Sequence, residues 1–393
     1  MTTEKFRQFS TLPPLSLYIH IPWCIKKCPY CDFNSHAADD TLPEDEYIDA
    51  LIHDLNNELP KVWGRRLHSI FIGGGTPSLF SAQSFDRLLS HIRSVLPGSA
   101  DMEITLEANP GSFEQEKFSD YRQLGINRLS IGIQSFDDRH LQALGRVHTG
   151  LEARRAIDMA TTAGFDNFNL DLMYGLPEQT TAMALADLNT AIQCQPQHLS
   201  QYQLTIEPNT LFHSQTPKHL PENDLIWEMQ EQSQQLLASH DFAQYEVSAY
   251  ARAGQQSRHN MNYWQFGDYL GIGAGAHGKL SDASDNRVYR YNKLRQPKAY
   301  LLHAGTDTAI KQQHDLSVEQ MDFEFMLNAL RLKAGFETSL YPRHTGQPLD
   351  SIRHKLKQAN ERGLLEITTK QIRPTEQGYR FLNDLQMLFL DEN

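Results

Sequence analysis

Apolar and polar side chains alternate with a period of two along several short stretches of the chain. In one stretch Glu103, Thr105 and Glu107 share one face, while Ile104 and Leu106 share the other. This is the period of a β-strand, whose successive side chains point to opposite faces of a sheet. Each stretch therefore has an apolar face for packing and a polar face. The pattern predicts strands over residues 15–21, 69–72, 102–107, 128–134, 168–173 and 199–205.

Stretches of helical length separate these strands, and strands that alternate with helices are typical of a parallel sheet with right-handed crossovers. In a doubly wound sheet the strands are apolar on both faces, and in a closed barrel the interior is packed with Val, Ile and Leu. The polar face here predicts instead a partial (β/α)6 barrel of the α/β class, with a polar interior and a site at the carboxyl ends of the strands. The helices are predicted over residues 43–59, 81–95, 113–124, 137–163, 180–194 and near 221–239.

The last part of the chain has a different pattern. Its order of helix, helix, hairpin and helix resembles a winged-helix-like α+β module, and modules of this kind also serve as lids. We therefore expect two domains, over residues 1–295 and 296–393. The predicted elements of the second domain cover residues 318–333, 352–362, 364–368, 371–374 and 375–390.

Composition narrows the functional classes. The chain has 393 residues with 40% hydrophobic side chains, as expected of a folded protein with a sizeable core. A net charge of −12 argues against a general nucleic-acid-binding protein. We find no signal sequence and no apolar run of the roughly 18 residues that a membrane span needs. The expected location is the cytoplasm, with membrane-surface contact and oligomeric state left open.

Three of the four cysteines, Cys24, Cys28 and Cys31, fall within eight residues. Their C-x3-C-x2-C spacing can hold three irons of a [4Fe–4S] cluster and leaves the fourth iron without a protein ligand. An iron with an open position can bind and activate another molecule. The alternative is structural zinc, with His36 completing a Cys3His tetrahedron. The cysteine spacing favours the cluster.

Two glycine-rich runs require separate interpretations. Residues 73–77, GGGTP, follow the second predicted strand, where glycines allow a ligand to approach the backbone closely. Residues 271–276, GIGAGA, match the G-x-G-x-x-A dinucleotide fingerprint. They do not lie at the first strand–helix turn of a βαβ unit, so we reject a dinucleotide site there.

A polar and aromatic cluster, HNMNYW, occupies residues 259–264, and a further histidine follows in the glycine-rich run. Most histidines are hydrogen-bonded structural residues or lie exposed to solvent. The alternative is that these rings face a flat ligand such as heme, with a histidine as axial ligand. The candidates are His259, Tyr263, Trp264 and His277, of which His259 is the first choice as axial ligand.

The cysteine run, the strand-end GGGTP and the (β/α)6 pattern together resemble the radical S-adenosylmethionine (SAM) superfamily. The segments YIHIPWC, GGGTPSLF, ITLEANP, LSIGIQSF, LGRVHT and NLDLMYGLP carry the resemblance, in that order. The resemblance implies that SAM chelates the open iron and is cleaved to a 5′-deoxyadenosyl radical after electron transfer from an external donor. The implied SAM contacts are Tyr18, Tyr30, Gly74, Gly75, Thr76, Glu107, Gln134, Arg146 and Asp171.

Within this superfamily the chain resembles the branch of oxygen-independent coproporphyrinogen III oxidases and heme chaperones. The oxidases have a further cysteine two residues after the third cluster cysteine, where this chain has Phe33. HNMNYW resembles the HNxxYW signature of the chaperones. The resemblance implies a chaperone that delivers heme to apo-proteins such as respiratory enzymes. The alternatives are coproporphyrinogen III dehydrogenation and a zinc-stabilised scaffold.

Overall fold

A computed structural model of the chain describes residues 8–38, 41–111 and 117–390. All six predicted strands are present and pair in parallel, which confirms the predicted fold class. They are β1 Leu15–Ile21, β2 Leu67–Gly74, β3 Gly98–Ala108, β4 Arg128–Gln134, β5 Phe168–Tyr174 and β6 His198–Gln203.

Additional strands extend this sheet at both ends. They are β7 Ala243–Gln244, β8 Ala249–Ala251, β9 Asp268–Ile272, β10 His277–Asp282, β11 Arg287–Lys293 and β12 Ile310–Asp315. The sheet has 12 strands in the order β12-β11-β10-β9-β1-β2-β3-β4-β5-β6-β8-β7. Strand β9, which the hydrophobic pattern did not predict, pairs in parallel with β1 and so adds a seventh parallel strand. Strands β10 to β12 form an antiparallel ribbon beyond it.

Helices cover the apolar side of the sheet, where Leu17, Ile19, Ile70 and Leu106 are completely buried. The α-helices up to residue 303 are α1 Glu44–Glu58, α2 Ala82–Val95, α3 Phe118–Gln123, α4 Asp138–Ala143, α5 Gly150–Thr162, α6 Thr181–Gln193, α7 Leu211–Ser214, α8 Asn223–Ser239, α9 Arg258–Trp264 and α10 Pro297–His303. Short 3-10 helices cover Leu59–Val62, Pro77–Leu79, Asp307–Ala309 and Leu349–Ile352.

The predicted helix over residues 137–163 is wrong as one element, because it is the two helices α4 and α5. Gly145 lies between them with φ +70, a conformation that ends a helix. Thr149 then begins α5 with a capping box, in which its side chain accepts from the Glu152 backbone. The predicted helix over 113–124 is described only from residue 117 onward, since residues 112–116 lie outside the described part of the chain.

The C-terminal unit contains the predicted helices and hairpin in the predicted order around its own apolar core, with a strand, Phe336–Glu337, and a helix, Leu340–Thr345, that were not predicted. Phe325, Phe336 and Tyr341 pack edge to face in this core, which Phe266 joins from the turn before β9. The predicted final helix is two short helices, because Phe381 adopts a non-helical conformation between them. The helices are α11 Val318–Ala329, α12 Leu340–Thr345, α13 Arg353–Glu361, α14 Glu376–Arg380 and α15 Leu382–Met387, and a three-stranded sheet contains Phe336–Glu337, Gln371–Pro374 and Leu365–Ile367.

The large sheet continues through β12 to Asp315, which is past the expected domain limit at residue 295. The expected limits of 1–295 and 296–393 remain a prediction, since they rest on the sequence pattern. Among the described residues, every helix is too short or too polar to cross a membrane.

Candidate functional site

The cysteine loop leaves the carboxyl end of β1 and returns to it through a short bridge. Trp23 and Cys24 pair in parallel with His36 and Ala37, which closes the loop at its base. The three thiols of Cys24, Cys28 and Cys31 line one cavity of about 140 Å³. The loop therefore presents the three thiols to a common space at the rim of the barrel.

Burial makes two of these thiols, those of Cys24 and Cys31, weaker acids. It raises the pKa of Cys24 to about 11, against the opposing hydrogen bond of Thr76. Burial also raises the pKa of Cys31, against a hydrogen bond with Ser35. A thiolate there needs a positive partner, which iron supplies when it binds.

The arrangement of the thiols fits a cluster better than a single zinc ion. Within the described ranges, no three His, Cys, Asp or Glu side chains converge on one point as a mononuclear site requires. His36 has a buried Nε2 without a hydrogen-bond partner, yet it does not complete a Cys3His group. A [4Fe–4S] cluster binds each cysteine through a different iron, so three spaced thiols suit it.

The residues that the resemblance implies as SAM contacts largely converge on this cavity. Tyr18 is the exception, because it lines a larger neighbouring cavity. Which residues contact SAM remains a prediction, although their convergence shows that they can reach one ligand. The residues lining the cysteine cavity are Tyr30, Gly74, Gly75, Thr76, Glu107, Gln134, Arg146 and Asp171.

The GGGTP run lies where the cysteine cavity meets a larger neighbouring cavity, since Gly74 lines both and Gly75 and Thr76 line the first. Gly74 has φ +116, and its amide donates to Glu107 Oε2 at 2.9 Å. A Cβ atom on Gly75 would lie 2.5 Å from the carbonyl oxygen of Trp23. Only glycine fits at these two positions, because side chains there would collide with the cysteine loop or strain the backbone.

Two half-buried carboxyl groups, those of Glu107 and Asp171, line the cavity. Burial raises the pKa of Glu107 to about 7, with the Gly74 amide opposing and Asp171 adding to the rise. Burial also raises the pKa of Asp171, although Asn169 and Ser130 donate hydrogen bonds to it. Such groups accept hydrogen bonds from ligand hydroxyls, as a ribose would supply.

Arg146 links the cysteine loop to the barrel rim. It lies in the turn between α4 and α5, and its Nη1 donates to Cys28 Sγ at 3.5 Å. Its Nη2 donates to Asn109 Oδ1 at 2.6 Å and to the Gly132 carbonyl at 2.8 Å. The half-buried guanidinium at this position places a positive charge beside the Cys28 thiol.

Two residues that line the cavity were missed by sequence reasoning. Asn109 Nδ2 donates to Thr76 Oγ1 at 2.8 Å, and Tyr202 OH donates to Gln134 Oε1 at 2.7 Å. Asn109 follows β3 directly, so its position as a polar residue at a strand end was a usable signal. Tyr202 lies on β6 among other polar residues, and nothing in its sequence context distinguishes it.

The larger cavity has a volume of about 700 Å³ and adjoins the first, sharing Gly74, Glu107 and Phe33 with it. Its walls combine aromatic rings with positive charges. The aromatic residues are Tyr18, Phe33, Tyr263, Trp264, Phe266 and Tyr269, the histidines are His20 and His277, and the cations are Lys279, Arg290, Lys293, Arg295 and Lys311.

His259 lies behind this cavity and does not line it. Its Nδ1 bonds with Ser69 Oγ at 2.9 Å, and its Nε2 bonds with Tyr263 OH at 2.9 Å. Burial lowers its pKa to about 3, which keeps the ring neutral. Both nitrogens are therefore engaged, and the prediction that His259 ligates heme gains no support from this geometry. His277, the second choice, is exposed in the cavity.

Comparison with known proteins identifies the family. Residues 18–191 match the radical SAM superfamily, and residues 316–381 match the HemN C-terminal domain. The heme chaperone HemW of Escherichia coli is 49% identical, covering 97% of this chain and 99% of that protein. The chain belongs to the HemW family. HemW of Bacillus subtilis is 36% identical over 96% of this chain and 99% of the relative.

The HemW assignment agrees with the fold and with the cofactors that the radical SAM match implies, a [4Fe–4S] cluster and SAM. The structure of coproporphyrinogen III oxidase HemN from Escherichia coli superimposes with a TM-score of 0.81 at 24% identity. It covers 96% of this chain and 90% of that chain, which shows a shared fold.

The second glycine-rich run has a structural role in this HemW member. It begins in the last two residues of β9 and leads directly into strand β10, whereas a dinucleotide fingerprint leads into a helix. A Cβ on Gly275 would lie 2.3 Å from Asn34 Nδ2, and Asn34 itself donates to the Ala274 carbonyl. The run therefore packs against the end of the cysteine loop, in agreement with the rejection of a dinucleotide site.

Proposed function

We propose that this chain is a heme chaperone, which binds a [4Fe–4S] cluster, SAM and heme and delivers the heme to apo-proteins such as respiratory enzymes. The observation that carries the proposal is the 49% identity to a heme chaperone HemW over 97% of one chain and 99% of the other. The aromatic and cationic cavity beside the cysteine loop supports it, because heme is flat, apolar and dianionic.

The cysteine cavity is the proposed site of the cluster and SAM. Cys24, Cys28 and Cys31 would hold three irons, and SAM would bind the fourth. An external donor would reduce the cluster, which could then pass the electron to SAM. Glu107 and Asp171 would accept hydrogen bonds from the SAM ribose. The remaining proposed contacts are Tyr18, Tyr30, Gly74, Gly75, Thr76, Gln134 and Arg146.

Heme is proposed to lie in the larger cavity against Tyr263 and Trp264. His277 is exposed there and can ligate iron in the structure as it stands. His259 can do so only after its Nε2 leaves Tyr263 OH. Substitution of each histidine therefore tests a different axial ligand of the heme iron.

Heme titration of the anaerobically reconstituted protein tests this proposal. We expect a Soret band that saturates at one heme per chain. The Soret and visible bands of histidine-ligated heme should be lost in the variant that lacks the axial histidine. His277→Ala and His259→Ala are compared with His240→Ala, an exposed histidine remote from both cavities. If His277 is the ligand, His259→Ala keeps the heme spectrum.

The enzyme alternative is coproporphyrinogen III dehydrogenation, which the shared HemN fold brings into consideration. Its test is conversion of coproporphyrinogen III to protoporphyrinogen with SAM and a reductant, and turnover would overturn the chaperone proposal. The cytoplasmic location, the acceptor proteins, contact with a membrane surface and the exclusion of nucleic acid remain predictions.

A further inference from the structure

One wall of the larger cavity is a face of the ribbon β10–β12. His277 lies opposite Asn292 in the strand register, and Lys279 lies opposite Arg290. Because partners across an antiparallel pair share a face, these side chains all point to the cavity. Arg295 and Lys311 add two more cations to the same lining. In a chain of net charge −12, this is a local concentration of positive charge.

The cations on this wall differ in how they are neutralised. Lys279 and Lys293 are buried and paired, the first with Asp268 and the second with Asp54 and Glu58. Their charges are therefore satisfied within the protein.

Arg295 and Lys311 are exposed, and neither makes an ion pair with a carboxylate within the described part of the chain. The Arg295 Nε has only a 3.4 Å hydrogen bond to Asn34 Oδ1. The acidic groups that line the same cavity are Asp32 in the cysteine loop and Glu107 at the end of β3. Two unneutralised cations beside aromatic rings suit an anionic, flat ligand.

Arg290 has a partner that a ligand can replace. Its Nε donates to Glu324 Oε2, and its Nη1 donates to Tyr269 OH at 2.9 Å. The Arg290 and Glu324 side chains are 25% and 20% exposed, so water and ligands reach the pair. Glu324 belongs to α11 of the C-terminal unit, from which Asn328 also lines the cavity.

We propose that Arg290, Arg295 and Lys311 form a carboxylate-binding subsite of the larger cavity, in which a ligand carboxylate displaces Glu324 from Arg290. The subsite rests on the proposed function, since the two propionates of heme are the carboxylates that it would bind. Loading then removes one of the contacts that hold the C-terminal unit to the ribbon. Binding of cargo and the position of that unit are thereby coupled.

Titration with heme and with heme dimethyl ester, in one detergent buffer, tests the subsite in the full-length, cluster-loaded protein. Arg290→Gln, Arg295→Gln and Lys311→Gln should each weaken heme binding by roughly two- to fivefold, the range of an exposed ion pair. Glu324→Gln should strengthen it, because Arg290 loses its competing carboxylate. Lys298→Gln, an exposed lysine on nearby α10, is the matched control and should change nothing.

The ester distinguishes the subsite from the proposed function. Esterification removes the propionate charges, so all four substitutions should bind the ester as the unsubstituted protein does. If heme binds but the variants affect heme and ester equally, the subsite is wrong and the chaperone function stands. If the unsubstituted protein binds no heme, the proposed function itself fails. Weaker or unchanged heme binding in Glu324→Gln overturns the displacement of Glu324, even if the arginine variants misfold.

Discussion

At the scale of single residues, burial decides the chemistry of the candidate site. The thiols of Cys24 and Cys31 and the carboxyls of Glu107 and Asp171 all have pKa values above their usual range because they lie away from water. Desolvation disfavours the charged form of an acid. A cation or a hydrogen-bond donor stabilises the charged form of such groups. Iron would do this for the thiols, and the hydroxyls of SAM would do it for the carboxyls.

Glu107 provides a pH-dependent test of the SAM site. Its pKa of about 7 means that the carboxyl is mostly neutral at pH 6 and mostly ionised at pH 8. The ionised form is the stronger acceptor of hydroxyl hydrogen bonds, so SAM affinity should fall from pH 8 to pH 6, by up to roughly tenfold. Calorimetric titration of the cluster-loaded protein measures this.

The variant Glu107→Gln removes the titration but retains the shape of the side chain. We expect SAM to bind Glu107→Gln more weakly, with an affinity that depends less on pH. Any titration of SAM itself affects the variant and the unsubstituted protein alike. An unchanged pH profile in the variant would show that another group controls the affinity.

Arg146 should control the reduction potential of the cluster. Its guanidinium lies beside Cys28 Sγ, and its positive charge favours the more negative, reduced state. Arg146→Met should therefore lower the midpoint potential on the order of 60 mV, which corresponds to about 1.4 kcal/mol for one electron. Potentiometric titration followed by electron paramagnetic resonance gives the value.

Arg146→Lys retains the charge and should shift the potential less than Arg146→Met. Arg155→Met is the control, because Arg155 is exposed on the outer face of α5. An unchanged potential in Arg146→Met with the cluster still bound contradicts this role.

At the scale of elements, the strand ends and the turns after them position the site. The period-two pattern predicted which strand residues face the interior, and Glu107, Gln134 and Asp171 indeed line one cavity. The turn that carries Arg146 lies within the segment predicted as one continuous helix. Gly145 ends the first helix and Thr149 begins the second, and both residue types are known helix-end residues.

Substitution of Gly145 should disturb both the fold and the cluster. Gly145→Ala places a residue with a Cβ at φ +70, which costs about 1 kcal/mol, and the Cβ would lie 2.8 Å from Pro29 Cδ. Pro29 lies between Cys28 and Tyr30, so we expect a lower apparent melting temperature and an altered cluster spectrum.

Gly164→Ala is the matched control for Gly145→Ala. Gly164 has φ +85 but nothing within 4 Å of its added Cβ, so it carries the backbone strain alone. We expect lower stability and an unchanged cluster spectrum. Equal cluster spectra in both variants would show that the Pro29 contact has no influence on the cysteine loop.

At the scale of the whole molecule, the C-terminal unit packs on the segment that carries HNMNYW. The guanidinium of Arg331 lies 4.3 Å from the centroid of the Trp264 ring, and it donates to Glu246 at 3.0 Å. Phe266 contacts Phe325 at the same interface. One wall of the larger cavity therefore depends on how the two parts of the chain meet.

Loss of Arg331 should loosen this junction. A cation–π contact and a partly buried ion pair together contribute about 1–3 kcal/mol. In Arg331→Gln we expect amide hydrogen exchange over residues 316–390 to be at least roughly tenfold faster. The exchange rates of the barrel strands should not change. Arg343→Gln removes an exposed ion pair with Glu337 inside the C-terminal unit and should have little effect. Equal exchange in both variants would contradict a role for Arg331 at the junction.

The parallel strands, the group of three cysteines and the polar strand ends can be predicted from the sequence, because period and spacing are local properties of the chain. The pairing of β9 with β1, the position of Tyr18 in the larger cavity and the engagement of both His259 nitrogens could not be predicted in this way. These depend on contacts between distant residues such as Ser69 and His259. A short motif shows which chemical groups are present, but packing decides which of their atoms remain free to bind a ligand.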